Sequence, residues 1–233
     1  MTYIQHAADI WSAHPDLVAG VVVATGITPD GDTGADVEEF SALARARLAA
    51  APEAEFPEIQ AWRRAFSRMG LKPTQYRCAS EALLRRLRKE GALPRIHPLI
   101  DLCNAISTAF AIPVAALDTT RVSKGLDVRP AHGDETYHTL SGQAEHPDPG
   151  EVIFADAAGH AHARRWTNRQ SGHSAVRDTT ASVLIVMEAM HGSAAEDVPR
   201  LMDALASRLS RTWGGTPSTA LLTAAVPRAE FSV

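Results

Sequence analysis

Residue 114 divides the chain into two patterns, and that division constrains its fold more than anything else in the sequence. Before it, apolar residues recur at helical spacing. After it, they come in short runs cut by Gly, Pro and Asp. Strands are expected at 114–117, 126–129, 135–139 and 151–155, with a further one over the alternating stretch 161–166. Upstream, 17–25 (LVAGVVVAT) is a β-branched run closed by Gly26 and Pro29, and it reads as a buried strand. Helices are expected at 36–50, at 59–69 up to Gly70, at 80–90, and at 100–110 up to Pro113. Near the other end, 180–191 is apolar and read as a helix, with Val183, Ile185 and Val186 keeping a strand as the alternative. Over 197–213, Leu201, Leu205 and Leu209 recur every fourth residue and make a helical stripe. The tail after Gly214 is expected to be irregular. Helices at both ends of a strand-rich middle predict one α+β domain over 1–233.

At 233 residues, 45% apolar and 21% charged, such a domain can bury a sizeable core. No apolar run approaches the roughly 18 residues that cross a bilayer. The longest, 181–189, contains Ser182 and Glu188. The first ten residues lack the basic start and apolar stretch of a secretion signal, so a cytoplasmic location and no membrane partner are expected. Cys78 and Cys103 are far apart, which argues against a disulfide framework and a four-ligand zinc site. No metal or cofactor is expected.

Charge is uneven. Residues 63–95 hold ten Lys or Arg against Glu81 and Glu90, a local excess of eight on a chain whose net charge is −4. The remainder is strongly acidic, so DNA is not an expected partner. A local basic face can still meet phosphates. Within that segment, helix 80–90 has Ser80 as its expected N-cap and Glu81 at its positive end. Arg88 and Lys89 sit at the negative end, and Gly91 stops it. Leu83, Leu84 and Leu87 would face inward, Arg85 and Arg86 outward.

Motifs for familiar chemistry are few. Gly31 to Gly34 lacks the Lys of a phosphate loop, and no G-x-S-x-G elbow occurs. Gly172-His173-Ser174 lacks the second glycine of such an elbow. His160 and His162 would share one strand face, as a metal pair could, but no third ligand stands at clear spacing. They read as a solvated strand. Cys103 and Asn104 in an apolar helix read as a core residue beside an amide, or as a pocket wall. Trp166-Thr167-Asn168-Arg169-Gln170 packs many side-chain donors into five residues. That suits a polar ligand or an RNA end, or else a turn pinned by its own hydrogen bonds.

Residues 72–86 (KPTQYRCASEALLRR) resemble the signature of the B3/4 domain, the editing module of the phenylalanyl-tRNA synthetase beta subunit. Further blocks agree in order: 98–104 (PLIDLCN), 112–118 (IPVAALD), Val128-Arg129 with 133–135, and 149–156 followed by 165–170. The likeness spans about 60–190, with 1–59 as an extension and 197–213 as a C-terminal helix. It implies an α+β fold with a β-sandwich layer and helices around it. It also implies a pocket for the aminoacyl 3′ end of tRNA. In the synthetase that pocket hydrolyses tyrosine wrongly attached to the phenylalanine tRNA. This chain has no counterpart of the synthetase's charging modules and is not expected to charge tRNA.

Asn104, Asp118, His173 and Thr180 match the family pattern. Ala115 and Gly172 stand where the synthetase has a histidine and a glutamate, and Cys103 where it commonly has threonine. The resemblance implies a deacylase in which the Asn104 amide and backbone N–H groups near Gly172 hold the acyl carbonyl. His173 would orient water or act as base. Cys103, Asp118, Glu135, Trp166, Asn168, Arg169, Gln170 and Thr180 would line the pocket. Lys72, Arg77, Arg85 and Arg86 would meet tRNA phosphates. The alternatives are a non-catalytic module that binds tRNA or an amino acid, and a small-molecule enzyme on a borrowed fold.

Overall fold

A computed structural model of the chain describes residues 2–232. Its elements in chain order are β1 (Thr2–His6), α1 (Ala8–Ala13), β2 (Val18–Thr25), α2 (Gly34–Ala50), α3 (Pro57–Arg68), α4 (Ala79–Glu90), α5 (Pro98–Phe110), β3 (Val114–Asp118) and β4 (Gly125–Pro130). Then follow β5 (Tyr137–His138), β6 (Ala144–Glu145), β7 (Val152–Ala155), β8 (Ala161–Arg164), β9 (Arg169–Gln170), β10 (Ser182–Ala189), α6 (Ala194–Trp213), β11 (Ser218–Leu222) and β12 (Arg228–Phe231). Among these described residues no helix is long and apolar enough to cross a membrane.

A six-stranded sheet runs in the order β12-β1-β4-β7-β8-β9, and a four-stranded sheet in the order β11-β2-β10-β3. They share one core. Ile4, Leu126 and Phe154 come from the first sheet, Val21, Leu184 and Val186 from the second, and Trp62, Phe66 and Leu84 from α3 and α4. The outer face of the four-stranded sheet is covered by α5 and α6, where Val183, Ile185 and Met187 meet Leu102, Ile106, Leu201 and Leu205. The fold is α+β, with a sheet-on-sheet layer and a helical layer. Gly20 lets α6 approach β2, because a Cβ there would lie 2.6 Å from the Met202 sulfur.

Four local expectations change. Residues 182–189 form strand β10, not a helix, paired along its length with β2 and with β3. A central strand buried on both faces is apolar throughout, so it shows no period-2 alternation. The tail after Gly214 is not irregular: β11 pairs with β2, and β12 with β1. Only Tyr137–His138 of the stretch 135–139 is strand. Ser80 is not the N-cap of α4. Cys78 holds that place, and Ser80 is fully buried in the first turn with its hydroxyl 3.4 Å from the Cys78 sulfur.

Candidate functional site

A cavity opens where the β8–β9 turn meets β3 and β10. The turn is unusual because Arg165 and Trp166 both have left-handed backbone, at φ 48° and 58°. Burial and hydrogen bonds hold it. The Trp166 N–H donates to Val152 O at 2.7 Å, and its indole Nε1 donates to Glu188 Oε1 at 2.9 Å. The ring is fully buried, edge-on to Trp62 at 5.0 Å, and Arg165 lies over the Tyr76 ring at 4.7 Å. The cavity holds about 60 Å³. Its walls include Ala115, Phe154, Trp166, Asn168, Arg169, Gln170 and Glu188. The amides are anchored: Asn168 Nδ2 donates to Arg77 O at 2.7 Å and Gln170 Nε2 to Ala116 O at 2.6 Å. Arg169 Nη1 donates to Glu145 Oε2 at 3.2 Å. The stretch is thus both a pinned turn and a cavity wall.

Three residues beyond Gln170, His173 belongs to a second cluster. His138, His160, His162 and His173 gather with ring centroids 4.2–6.4 Å apart, and His160 and His173 stack in near-parallel planes. Burial, then the neighbouring imidazoles, lowers the His173 pKa below its ordinary value. His162 is not on a solvated strand, for its side chain is fully buried. Its Nδ1 lies 2.8 Å from Ser174 Oγ and its Nε2 3.2 Å from Asp156 Oδ2. That order of carboxyl, imidazole and hydroxyl resembles a hydrolase triad. Ser174 is wholly buried, so the group braces the loop rather than presenting a nucleophile. Burial pushes the Asp156 pKa up, but the His162 bond and the Ser123 and His160 N–H groups outweigh it and hold the carboxyl below its usual range.

The oxyanion-hole expectation needs correction at this loop. The Gly172 N–H donates to His138 O at 2.8 Å and the His173 N–H to Ser171 Oγ at 3.1 Å, so neither is free for an acyl oxygen. Gly172 also has no room for a side chain, since a Cβ would lie 2.5 Å from Thr139 O.

The remaining expected residues fall into three places. Thr180 Oγ1 donates to Asp118 Oδ2 at 2.7 Å and the Asp118 N–H to Ser174 O at 2.9 Å, so this pair clamps the 171–180 loop to β3. Cys103 is buried between α5 and the sheet, and burial pushes its thiol up to about 12. Asn104 follows it on α5, partly exposed. Neither is on the cavity wall. Glu135 lies outside the cavity too. Its buried carboxyl accepts from Arg129 Nη1 at 2.6 Å and from the N–H groups of His132 and Gly133. Burial raises its pKa, yet these donors bring it down to about 2. His132, Asp134 and Glu135 could gather on a cation, but the first two are exposed and Glu135 is already bound to Arg129. Glu188 and the histidine cluster were missed from sequence. Of the latter, His160-x-His162 and His173 were each named from sequence, but pairings such as Thr136 with His160 are what assemble the cluster.

The basic segment is less free than its charge suggests. Arg63 and Arg77 lie 2.6 and 3.4 Å from buried Glu81, and Arg85 and Arg88 reach buried Glu53 at 3.3 and 3.0 Å. Arg86 pairs with exposed Glu90 at 2.9 Å. Lys72 is exposed, with no acidic partner within 4.0 Å among the described residues.

Two packed sheets under a helical layer, with an apolar cavity rimmed by amides, define an α+β domain. The chain belongs to the B3/4 domain family, whose model matches residues 61–216. It is 36% identical over 74 residues to the phenylalanine–tRNA ligase beta subunit of Thiobacillus denitrificans, a match covering 32% of this chain and 9% of that protein. Its fold matches an N-terminal fragment of the phenylalanyl-tRNA synthetase beta subunit from Pyrococcus horikoshii, with TM-score 0.50 and 11% identity. That match covers 92% of this chain and 49% of the other. The chain therefore spans a minor part of these relatives' length.

Proposed function

We propose that the protein is a deacylase that hydrolyses the ester of an incorrectly charged aminoacyl-tRNA. The observation that carries this reading is the cavity of Trp166, Asn168, Arg169 and Gln170, next to Ala115 and one residue upstream of the loop that bears Gly172 and His173. Membership of the B3/4 family supports this substrate class. An aminoacyl ester is already activated, so a placed water and support for the developing oxyanion suffice. Water adds to the acyl carbon, the C–O bond to the terminal ribose breaks, and the proton passes to the ribose oxygen. His173, with its lowered pKa, is neutral at physiological pH and is the group to take the proton from water. The Gly172 and His173 N–H groups are occupied and Asn104 lies off the cavity wall, so none of the three is assigned to the acyl oxygen. Lys72 and Arg86 are the cations best placed to meet tRNA phosphates, since Arg77 and Arg85 are shared with buried carboxylates.

A panel of incorrectly charged tRNAs tests this. Release of one amino acid, reduced at least about tenfold by His173→Gln, is expected. Intact tRNA binding without cleavage of any member would sink the enzyme reading. The occupied N–H groups favour a second reading, a module that binds the aminoacyl end without cleaving it. That module would show a steep salt dependence of tRNA binding and no ester loss.

A further inference from the structure

Glu188 has no place in either reading so far. It lies on β10, 99% buried, and forms part of the cavity wall. Its Oε1 accepts from the Trp166 indole at 2.9 Å and lies 2.6 Å from His6 Nε2. Its Oε2 has no hydrogen-bond donor among the described residues. No lysine or arginine lies within 4.0 Å of it there either, and His6 is its one salt-bridge neighbour. With Nε2 donating to Glu188, His6 keeps Nδ1 as its bare nitrogen, and that atom is buried with no partner. His6 thus meets Oε1 alone and leaves Oε2 without a donor.

A buried carboxylate oxygen without a donor is costly, and an ammonium on the cavity side of Glu188 would supply both the donor and positive charge. Phe154 and Trp166 place aromatic rings on the same wall, which suits a cation. The cavity's 60 Å³ corresponds to roughly four to six waters at about 10–15 Å³ each by this measure. That is room for an ammonium and a short alkyl chain.

We infer that Glu188 makes this cavity a site for a primary ammonium group, and that it selects the bound amino acid by that group. As a statement about substrate the inference rests on the deacylase reading; as a statement about binding it does not. Two sources carry the chemistry: the α-ammonium of an aminoacyl ester, or the side-chain ammonium of a short basic amino acid.

The test is calorimetric titration of the full chain with n-propylammonium and with 1-propanol, while the Trp166 indole N–H resonance is followed. The ammonium should bind at least about tenfold tighter than the alcohol, as a charge-assisted bond to a buried carboxylate implies, and should shift that resonance. Glu188→Gln should bring the ratio near one. Since that variant could lose stability, the comparison on the unaltered protein stands by itself. Equal binding of ammonium and alcohol, or ammonium binding that leaves the Trp166 signal in place, overturns the inference. L-norvaline methyl ester and Nα-acetyl-L-ornithine methyl ester then separate the sources, because each presents one of the two ammonium groups. Amine binding with no cleavage of any aminoacyl-tRNA sinks the deacylase reading and leaves this site standing. Cleavage without amine binding does the reverse.

Discussion

Trp166 has a backbone conformation that bulky residues rarely adopt, and it is kept there by what its side chain buries and bonds. Replacing it tests both. Trp166→Phe keeps an aromatic ring but removes the indole donor to Glu188, so about 1–3 kcal/mol of stability should be lost in urea unfolding, with little change in slope. An unaltered midpoint would mean that the bond to Glu188 contributes nothing. Gly172 makes a second case. Its constraint is contact with the Thr139 carbonyl, not a left-handed φ. Gly172→Ala should lower the melting temperature, and Gly172→Glu should lower it further instead of restoring the carboxyl that the synthetase carries there. An alanine variant as stable as the parent would show that the loop shifts freely. At this scale the sequence was partly legible. The donor-rich 166–170 stretch was visible because its residues adjoin. Glu188, 22 positions from its partner Trp166, and the four histidines drawn from three segments were not, because strand pairing alone brings them together.

Helix α4 illustrates how much a single element reveals of itself. Its length, its stop at Gly91 and its inward leucines could be read directly, since these are local properties. What its cations do could not, because their partners Glu53 and Glu81 had to be known to be buried. The result is a contrast on one surface. Arg63→Met takes the bidentate partner from buried Glu81 and should cost roughly 2–3 kcal/mol. Arg86→Met breaks only an exposed pair with Glu90 and should change stability by no more than about 0.5 kcal/mol. Equal losses from the two would contradict the burial of Glu81. Strand β10 was misread for the opposite reason, since full burial erases alternation. The terminal strands β11 and β12 escaped notice because edge strands bury only alternate or terminal residues and leave a weak pattern.

Acid response is a property of the whole molecule, because the groups that refuse protons are spread over all its layers. His14, His97 and His173 each have a lowered pKa, with burial the first cause in all three. Below the ordinary value of 6.5 the unfolded chain takes up protons that the folded chain does not. Stability therefore falls as pH drops from about 6.5, and continues to fall until the folded pKa values are passed. A second window follows from the carboxyls. Glu135 sits at about 2, and Glu151, Asp156 and Asp197 are also lowered, so their contribution is present above the ordinary carboxylate range and is lost as pH falls through it. Urea midpoints measured from pH 8 to pH 3 should show a plateau above pH 7, a first decline beginning near 6.5 and a steeper one below about 4.5. The two windows belong to different parts of the fold. His173→Gln should shrink the upper decline by removing one of its three histidines and leave the lower in place. A midpoint constant from pH 7.5 to 5.5 would show that these histidines titrate alike in the folded and unfolded chain. His173 would then be as open to protons as a free histidine.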